Sequence, residues 1–285
     1  MSENFHSLQN PPLTEKEADF DFSPGSLRDF KLGVWKVNLP TGIVRENKEE
    51  KMKVQVIGLG QFGMFLARLF AEAGHQLFGY DTNLVKRLEL ESFGGIWEER
   101  CSDADVRMLA IFPSQYQSIP NDGSLVVNLS SVQQSGIDRL LRLGVNLERI
   151  LSFHPLFGPV GVSRSGWIGK QIILTMCPMN DRRAQKVLQI FFRKEVSVEK
   201  MTPEEHDAKM ASHALAFLLA ELVSAGAVGV DPRYLTGSAR QMLGLTELTV
   251  GSDELRKLIL SNPALKAILP IIRSRLAELS EEFGW

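Results

Sequence analysis

From Lys53 onward, short apolar runs alternate with amphipathic stretches. The runs KVQVIGLG, QLFGYD, VRMLAIFP and SLVVNLS predict buried strands, and QFGMFLARLFAEAGH has the spacing of an amphipathic helix. RILSFHP, KQIILTMCP and VSVEKM extend the strand series, with a further helix predicted in DRRAQKVLQIFFRKE. Strands that alternate with helices in this way predict an α/β fold with a mostly parallel sheet covered on both faces.

The pattern changes near residue 200, after which the chain is almost wholly helical. TPEEHD predicts the start of a helix, with Thr202 as the cap, Pro203 at the first position and Glu205 three residues after the cap. We therefore predict a flexible N-terminal extension over 1–50, a sheet domain over 51–200 and a helical domain over 201–285.

A glycine-rich turn joins the first strong strand to its helix. GLGQFG places Gly58, Gly60 and Gly63 in the G-x-G-x-x-G spacing. The first glycine permits a tight turn, the second lets the backbone approach a pyrophosphate, and the third lets the helix pack closely on the strand. Gln61 and Phe62 open the helix, whose N-terminal amides attract phosphate. The turn predicts a Rossmann-type, dinucleotide-binding sheet domain.

An acidic residue ends the second strand. Asp81 lies about 20 residues after the glycines, where a carboxylate can accept hydrogen bonds from the adenosine ribose hydroxyls and repel a 2′-phosphate. This position favours NAD, while Lys86 and Arg87 close behind keep NADP open. The alternative for Asp81 is a turn-forming or capping role.

The stretch LSFHPLFGP holds a histidine where a strand is predicted to end in a constrained turn. A neutral imidazole at His154 could accept the proton of a substrate hydroxyl while hydride leaves the same carbon. Proline and glycine nearby would restrict the backbone and so the ring. From residue chemistry alone, an equally good interpretation is a partly buried histidine bonded to a loop carbonyl.

Four motifs together, GLGQFG, VVNLSSV, FHPLFGP and EEHDAKMASHALAF, resemble the prephenate/arogenate dehydrogenase family of tyrosine biosynthesis, from about Lys53 to about Arg273. The resemblance implies that His154 is catalytic and contacts the C4 hydroxyl of prephenate. It also implies oxidative decarboxylation of prephenate to 4-hydroxyphenylpyruvate with hydride transfer to NAD. Arogenate and 4-amino-4-deoxyprephenate are alternative substrates.

The same resemblance implies a second catalytic residue, Ser131, from the family stretch D-x-x-S-V-K. Here the stretch is NLSSVQ, so Asn128 and Gln133 stand where the family has Asp and Lys. The alternative for Ser131 is the N-cap of the helix predicted in VQQSGIDRLLRL. These departures also keep open a protein of another class, a non-catalytic NAD-binding regulatory module.

Four further positions match the family in the helical domain. Arg240 aligns by spacing with an arginine that binds the substrate ring carboxylate, a task that suits its planar fork. His213 in SHAL falls near a substrate-pocket position, with a core histidine as its alternative. For Asp207, in the family's His-Asp pair with His206, we favour an electrostatically favourable first helical turn.

Composition narrows the class of protein. A net charge of -2 over 285 residues argues against nucleic-acid and membrane-surface partners. Two widely separated cysteines, Cys101 and Cys177, and the absence of a signal pattern favour a cytoplasmic protein without a metal site. Long apolar helix faces after residue 200 predict a homodimer through the C-terminal helices, which makes 201–285 a substrate and dimerisation domain.

Overall fold

A computed structural model describes residues 34–35, 50–117, 119–178, 180–226, 231, 233, 235–240, 243 and 253–284. Its strands are β1 (Val34–Trp35), β2 (Lys53–Ile57), β3 (Gln76–Tyr80), β4 (Ile96–Trp97), β5 (Val106–Leu109), β6 (Leu125–Asn128), β7 (Ile150–Pro155), β8 (Gln171–Met176) and β9 (Ser197–Lys200). Its helices are α1 (Gln61–Glu72), α2 (Val85–Glu91), α3 (Gln133–Arg142), α4 (Pro159–Ser165), α5 (Arg182–Phe192), α6 (Pro203–Gly226), α7 (Asp253–Leu260) and α8 (Leu265–Phe283).

The strands form a single sheet in the order β1-β9-β8-β7-β6-β5-β2-β3-β4. Pairing is parallel except between β7 and β8 and between β1 and β9. The predicted mostly parallel, Rossmann-type sheet followed by helices is therefore confirmed. From β2 the chain proceeds outward to β4, then returns to place β5 on the other side of β2. Ligands of such sheets bind at this switch point, beyond the carboxyl ends of the strands.

Apolar side chains cover both faces of the sheet. On one face, α1 and α5 supply Phe70 and Phe191, and Phe191 meets the ring of Phe153 from β7 at a centroid distance of 5.5 Å. On the other face, Leu140 of α3 packs with Ile150 of β7. Burial on both faces explains why central strands such as β6, with LVVN, and β8, with QIILTM, carry runs of consecutive apolar residues.

The helix α6 begins as predicted. The Thr202 amide donates to the Glu205 carboxylate at 2.9 Å, and the Glu205 amide donates to the Thr202 hydroxyl at 3.1 Å. This reciprocal capping box fixes the residue at which α6 starts. The helix then packs against α3 of the sheet domain and against α7 and α8, so its first turns lie beside the sheet.

The predicted N-terminal extension is described only in part, and the helices can be compared with membrane spans only where they are described. Within the predicted extension, Val34 and Trp35 pair with Glu199 and Val198 of β9, whereas 1–33 and 36–49 lie outside the described residues. Among the described helices, none combines the length and apolar character that crossing a membrane requires.

Candidate active site

The glycine loop, residues 58–63, has the geometry that each glycine predicts. Gly58 has φ +88°, and a Cβ there would lie 2.6 Å from the Ala110 carbonyl oxygen. A Cβ on Gly63 would lie 1.8 Å from the Gly58 carbonyl oxygen, so only glycine allows α1 to start this close to the turn. A Cβ on Gly60 would meet nothing within 4 Å. The middle glycine therefore faces open space, as a backbone that approaches a pyrophosphate requires.

The start of α1 presents its amides beside that open space. The first intrahelical bond runs from the Met64 amide to the Gly60 carbonyl at 2.9 Å, so the amides of Gln61, Phe62 and Gly63 precede it. Such amides and the helix dipole suit an anionic group. The centroid of the half-buried Phe62 ring lies 6.0 Å from that of the Phe65 ring. The loop fits a dinucleotide.

Asp81 supports the glycine loop directly. Its carboxylate accepts the Leu59 amide at 2.6 Å and the Asn83 amide at 2.8 Å. The turn-forming role considered for Asp81 is therefore present, and contact with a ribose stays a prediction. The two nearby cations have acidic partners, since Lys86 lies 3.4 Å from Glu89 and Arg87 lies 2.7 Å from Glu91.

His154 lies near the end of a strand, as RILSFHP predicts, and not on the turn that follows. It is the fifth residue of β7 and pairs with Ile173 of β8, and the register shifts between Ser152 and Phe153 just before it. Pairing with the antiparallel strand β8 holds the backbone of His154 in place. Because β2, β5, β6 and β7 run parallel, His154 lies at the same edge of the sheet as the glycine loop.

His154 contacts a second histidine from α6. Its Nδ1 lies 3.0 Å from Nε2 of His206, and the rings meet edge to face. Nδ1 of His206 lies 2.8 Å from the Asp207 carboxylate. His206 is fully buried and Asp207 is 4% exposed. We call His154, His206 and Asp207 the histidine cluster.

The Asp207 carboxylate is directed at a helix other than its own. It accepts the amides of Gln133 at 2.8 Å and Gln134 at 3.1 Å, the first two residues of α3. The role we favour from sequence, a charge in the first turn of α6, is wrong because the acidic residues of that turn are Glu204 and Glu205. The Asp207 carboxylate instead accepts the amides of α3. The His-Asp pair in the motif was the signal that could have identified this contact.

The N-cap alternative for Ser131 is also wrong. The helix α3 is preceded by Val132 with no side-chain cap, and Asp207 supplies the missing acceptor from α6. Ser131 itself is half-buried, between the end of β6 and α3. Its neighbour Ser130 is buried, and its hydroxyl donates to the Val132 carbonyl at 2.8 Å. The catalytic role implied for Ser131 stays a prediction.

A buried network of neutral polar groups lies beneath the cluster. The Asn128 amide donates to the Ser152 hydroxyl at 2.8 Å, and that hydroxyl donates to the Gln133 side-chain oxygen at 2.6 Å. The Tyr116 hydroxyl donates to the Asn128 oxygen at 2.7 Å. Burial raises the pKa of the Tyr116 phenol far above its ordinary value, which keeps it a neutral donor. The two residues that replace the family's charged pair are thus joined through one serine.

The predicted substrate-binding residues are not brought into the histidine cluster by any described contact. Arg240 is exposed in a helical turn over 237–240, and its amide donates to the Thr236 carbonyl at 3.0 Å. His213 belongs to α6, but its side chain lies outside the described part of the chain. Both assignments stay predictions.

Two plant proteins are similar to this chain in sequence. No family model matches the chain. Arogenate dehydrogenase 1 of Arabidopsis thaliana, a chloroplastic protein, is 25% identical over 207 residues, which cover 65% of this chain and 32% of that protein. Arogenate dehydrogenase 2 of the same plant, also chloroplastic, is 23% identical over 177 residues, covering 56% and 49%. The chain therefore spans about a third and about half of the lengths of these relatives.

Solved structures share the fold. Prephenate dehydrogenase from A. aeolicus, in complex with hydroxyphenyl propionate and NAD+, matches with a TM-score of 0.63 and 21% identity over 81% of this chain and 90% of that one. Synechocystis arogenate dehydrogenase matches with a TM-score of 0.56 and 19% identity over 82% and 92%. The resemblance implied by the motifs is thus confirmed: this chain is similar in sequence and in fold to the prephenate/arogenate dehydrogenase family.

Proposed function

We propose that the chain catalyses the oxidative decarboxylation of prephenate to 4-hydroxyphenylpyruvate, with hydride transfer to NAD. The observation that carries this proposal is the place of His154, in the motif FHPLFGP and at the sheet edge that also bears the glycine loop. An imidazole and a dinucleotide loop at one edge suit a reaction in which a hydroxyl proton and a hydride leave the same carbon.

The glycine loop and the first turn of α1 would hold the cofactor. Gly58, Gly60 and Gly63 shape the turn, and the amides of Gln61 and Phe62 face the pyrophosphate in this assignment. Asp81 would accept the ribose hydroxyls with the lone pairs that its two amide contacts leave. When bound, the nicotinamide supplies the acceptor for the hydride.

The protein groups handle the proton and the substrate charges. His154 accepts the proton of the C4 hydroxyl, and Ser131 lies after the neighbouring strand β6, at the same edge. Arg240 binds the ring carboxylate, and His213 lines the substrate pocket. Loss of the carboxylate makes the ring aromatic, so the enzyme's task is alignment and charge placement.

Arogenate is the main alternative substrate, because the curated relatives are named as arogenate dehydrogenases; 4-amino-4-deoxyprephenate is another. A non-catalytic NAD-binding module is the alternative of a different class. It is favoured by the neutral Asn128 and Gln133 at positions where the family carries charge.

The deciding experiment is a paired assay of the full chain, with prephenate and arogenate each tested against NAD and NADP. We expect reduced nicotinamide to accumulate with prephenate and NAD. Its absorbance measures the rate of the reaction. Faster turnover of arogenate would make arogenate, not prephenate, the assigned substrate. Faster turnover with NADP would make NADP the assigned cofactor. Dinucleotide binding without turnover of any of these cyclohexadienols would support the module.

The variant His154→Asn tests the residue itself. We expect kcat to fall about 10²- to 10⁴-fold, the usual contribution of a general base, while the Kd for NAD measured by calorimetry stays unchanged. The matched control is His75→Gln, because His75 is another half-exposed histidine that bonds the Met52 amide away from this edge. Equal activity of His154→Asn and the wild type would contradict the assignment.

We also propose a homodimer through the C-terminal helices. Apolar side chains stand exposed on α6 and α8, among them Leu222 at 51% and Ile271 at 68%. Several exposed large apolar side chains on two helices suit an interface better than contact with water. Light scattering after size exclusion should give twice the chain mass at micromolar concentration, and the mass of one chain would refute the dimer.

A further inference from the structure

We infer that His206 and Asp207 are positioning residues that hold His154 in one tautomer, with its proton on Nδ1 and its basic lone pair on Nε2. The catalytic consequence depends on the proposed function, but the tautomer itself can be tested without turnover. The inference begins from the fact that the three side chains form one hydrogen-bonded line from α6 to β7.

Donor and acceptor roles along this line follow from the Asp207 carboxylate, which can only accept hydrogen bonds. An ionised carboxylate accepts and cannot donate, so the Asp207 contact at 2.8 Å places a hydrogen on Nδ1 of His206. In a neutral imidazole the other nitrogen then accepts. Nε2 of His206 lies 3.0 Å from Nδ1 of His154, which must be the donor. The lone pair of His154 is consequently on Nε2.

The line is anchored at several points. Asp207 accepts the first two amides of α3, Gln133 and Gln134. Its carbonyl accepts the buried Asn262 side chain at 2.7 Å, from the connection between α7 and α8. His206 follows directly on the capping box of α6. The carboxylate therefore has little freedom to turn away, and His206 cannot exchange its roles without losing a buried hydrogen bond.

A general base needs its lone pair on the nitrogen that meets the substrate. If His154 held its proton on Nε2 instead, that nitrogen could donate to a hydroxyl but could not remove its proton. Orientation of one imidazole by a carboxylate is a known catalytic device, and the wrong tautomer abolishes most of the rate. Here a second histidine stands between the carboxylate and the reacting ring, so Asp207 acts over two hydrogen bonds.

Histidine-labelled protein gives the direct test. In ¹⁵N spectra of the full chain without ligand, we expect the His154 ring in the Nδ1–H form, assigned by its loss in His154→Asn. His75 provides an internal reference, because its Nδ1 accepts the Met52 amide at 3.3 Å and it should show the opposite, Nε2–H form. A His154 ring in the Nε2–H form, or a doubly protonated His206, would overturn the inference.

Kinetics of two His206 variants supply the second test. In His206→Gln, the side-chain amide can donate to Asp207 and accept from His154, whereas His206→Leu can do neither. We expect kcat to fall at least about tenfold in His206→Leu, and by no more than the roughly 10²- to 10⁴-fold contribution of the general base itself, with KM changed by less than about threefold. The glutamine variant should recover most of the loss.

The outcomes separate the two proposals. Equal loss in the glutamine and leucine variants, with both folded by thermal melting, would overturn the positioning role. A wild type without turnover would refute the proposed reaction, and the ¹⁵N spectrum would still decide the tautomer. If His206→Leu does not fold, the spectrum of the wild type and the rate of His206→Gln decide the question.

Discussion

The glycine loop and the histidine cluster lie at the same edge of the sheet but are built in different ways. The loop is contiguous, since it consists of residues 58–63. Its backbone shapes the turn and leaves open space for a ligand. The cluster joins positions 52 residues apart, His154 on β7 and His206 on α6, through side chains. One region depends on what glycine permits locally, and the other on which distant elements pack together.

The difference shows in what each region tolerates. The three glycines of the loop have no side chain to lose, so their weak point is the addition of atoms. The cluster is a chain of buried donors and acceptors, so its weak point is the loss of a partner or the arrival of an unpaired charge. Three predictions follow this contrast from the largest expected effect to the smallest.

The largest effect is expected in the neutral network beneath the cluster. Gln133→Lys would bury an ammonium group beside the neutral Asn128 and should lower the free energy of unfolding by about 3–5 kcal/mol. Adding Asn128→Asp restores the opposite charge and should recover about 0.5–3 kcal/mol as a coupling energy in a double-mutant cycle. Urea denaturation of the four proteins measures both values. Strict additivity would show that the two sites are not coupled.

The glycine loop offers a matched pair of variants. Gly63→Ala places a methyl 1.8 Å from a backbone oxygen, and we expect it to cost about 1–3 kcal/mol of stability and to abolish dinucleotide binding. Gly60→Ala meets no atom within 4 Å, so stability should change by less than about 0.5 kcal/mol. Its Kd for NAD should nevertheless rise about tenfold, which is 1.4 kcal/mol. Denaturation and calorimetry measure the two effects. Unchanged affinity in Gly60→Ala would mean that the pyrophosphate does not approach there.

The smallest effect on stability is expected at Asp122, a charged residue outside both regions. Asp122 precedes β6, at the opposite edge of the sheet, and is paired with Arg107. Burial alone would raise the Asp122 pKa, but hydrogen bonds from Ser124 and Arg107 outweigh it and hold the pKa below its ordinary value. A lowered folded-state pKa contributes stability above the unfolded pKa of about 3.9, which is lost as the pH falls through the folded pKa.

Asp122→Asn should therefore be less stable at neutral pH and should show a flatter decline of stability below about pH 4. Denaturation at a series of pH values measures this, and NAD affinity and turnover serve as controls that should not change. An unaltered pH profile would show that the ion pair with Arg107 has no net effect on acid stability.

The fold and half of the site could be predicted from sequence because their causes are local. Buried strands, the capping box of α6 and the three glycines each depend on residues close together in the chain. The partners of His154 could not be predicted, because spacing does not say which helix packs against which strand. For that reason the sequence predicts a role for Asp207 in its own helix and offers capping as the alternative for Ser131, whereas Asp207 fills that capping role from α6.

By itself, the sequence determined the order of strands and helices, the glycine turn at Gly58, and the presence of a histidine in FHPLFGP. Only the tertiary structure decided that His206 and Asp207 form hydrogen bonds in line with His154, and that Asn128 and Gln133 meet through Ser152. The physical reason is the range of the interactions. Backbone conformation and hydrophobic periodicity act over a few residues, whereas hydrogen bonds between side chains form wherever packing brings donor and acceptor together.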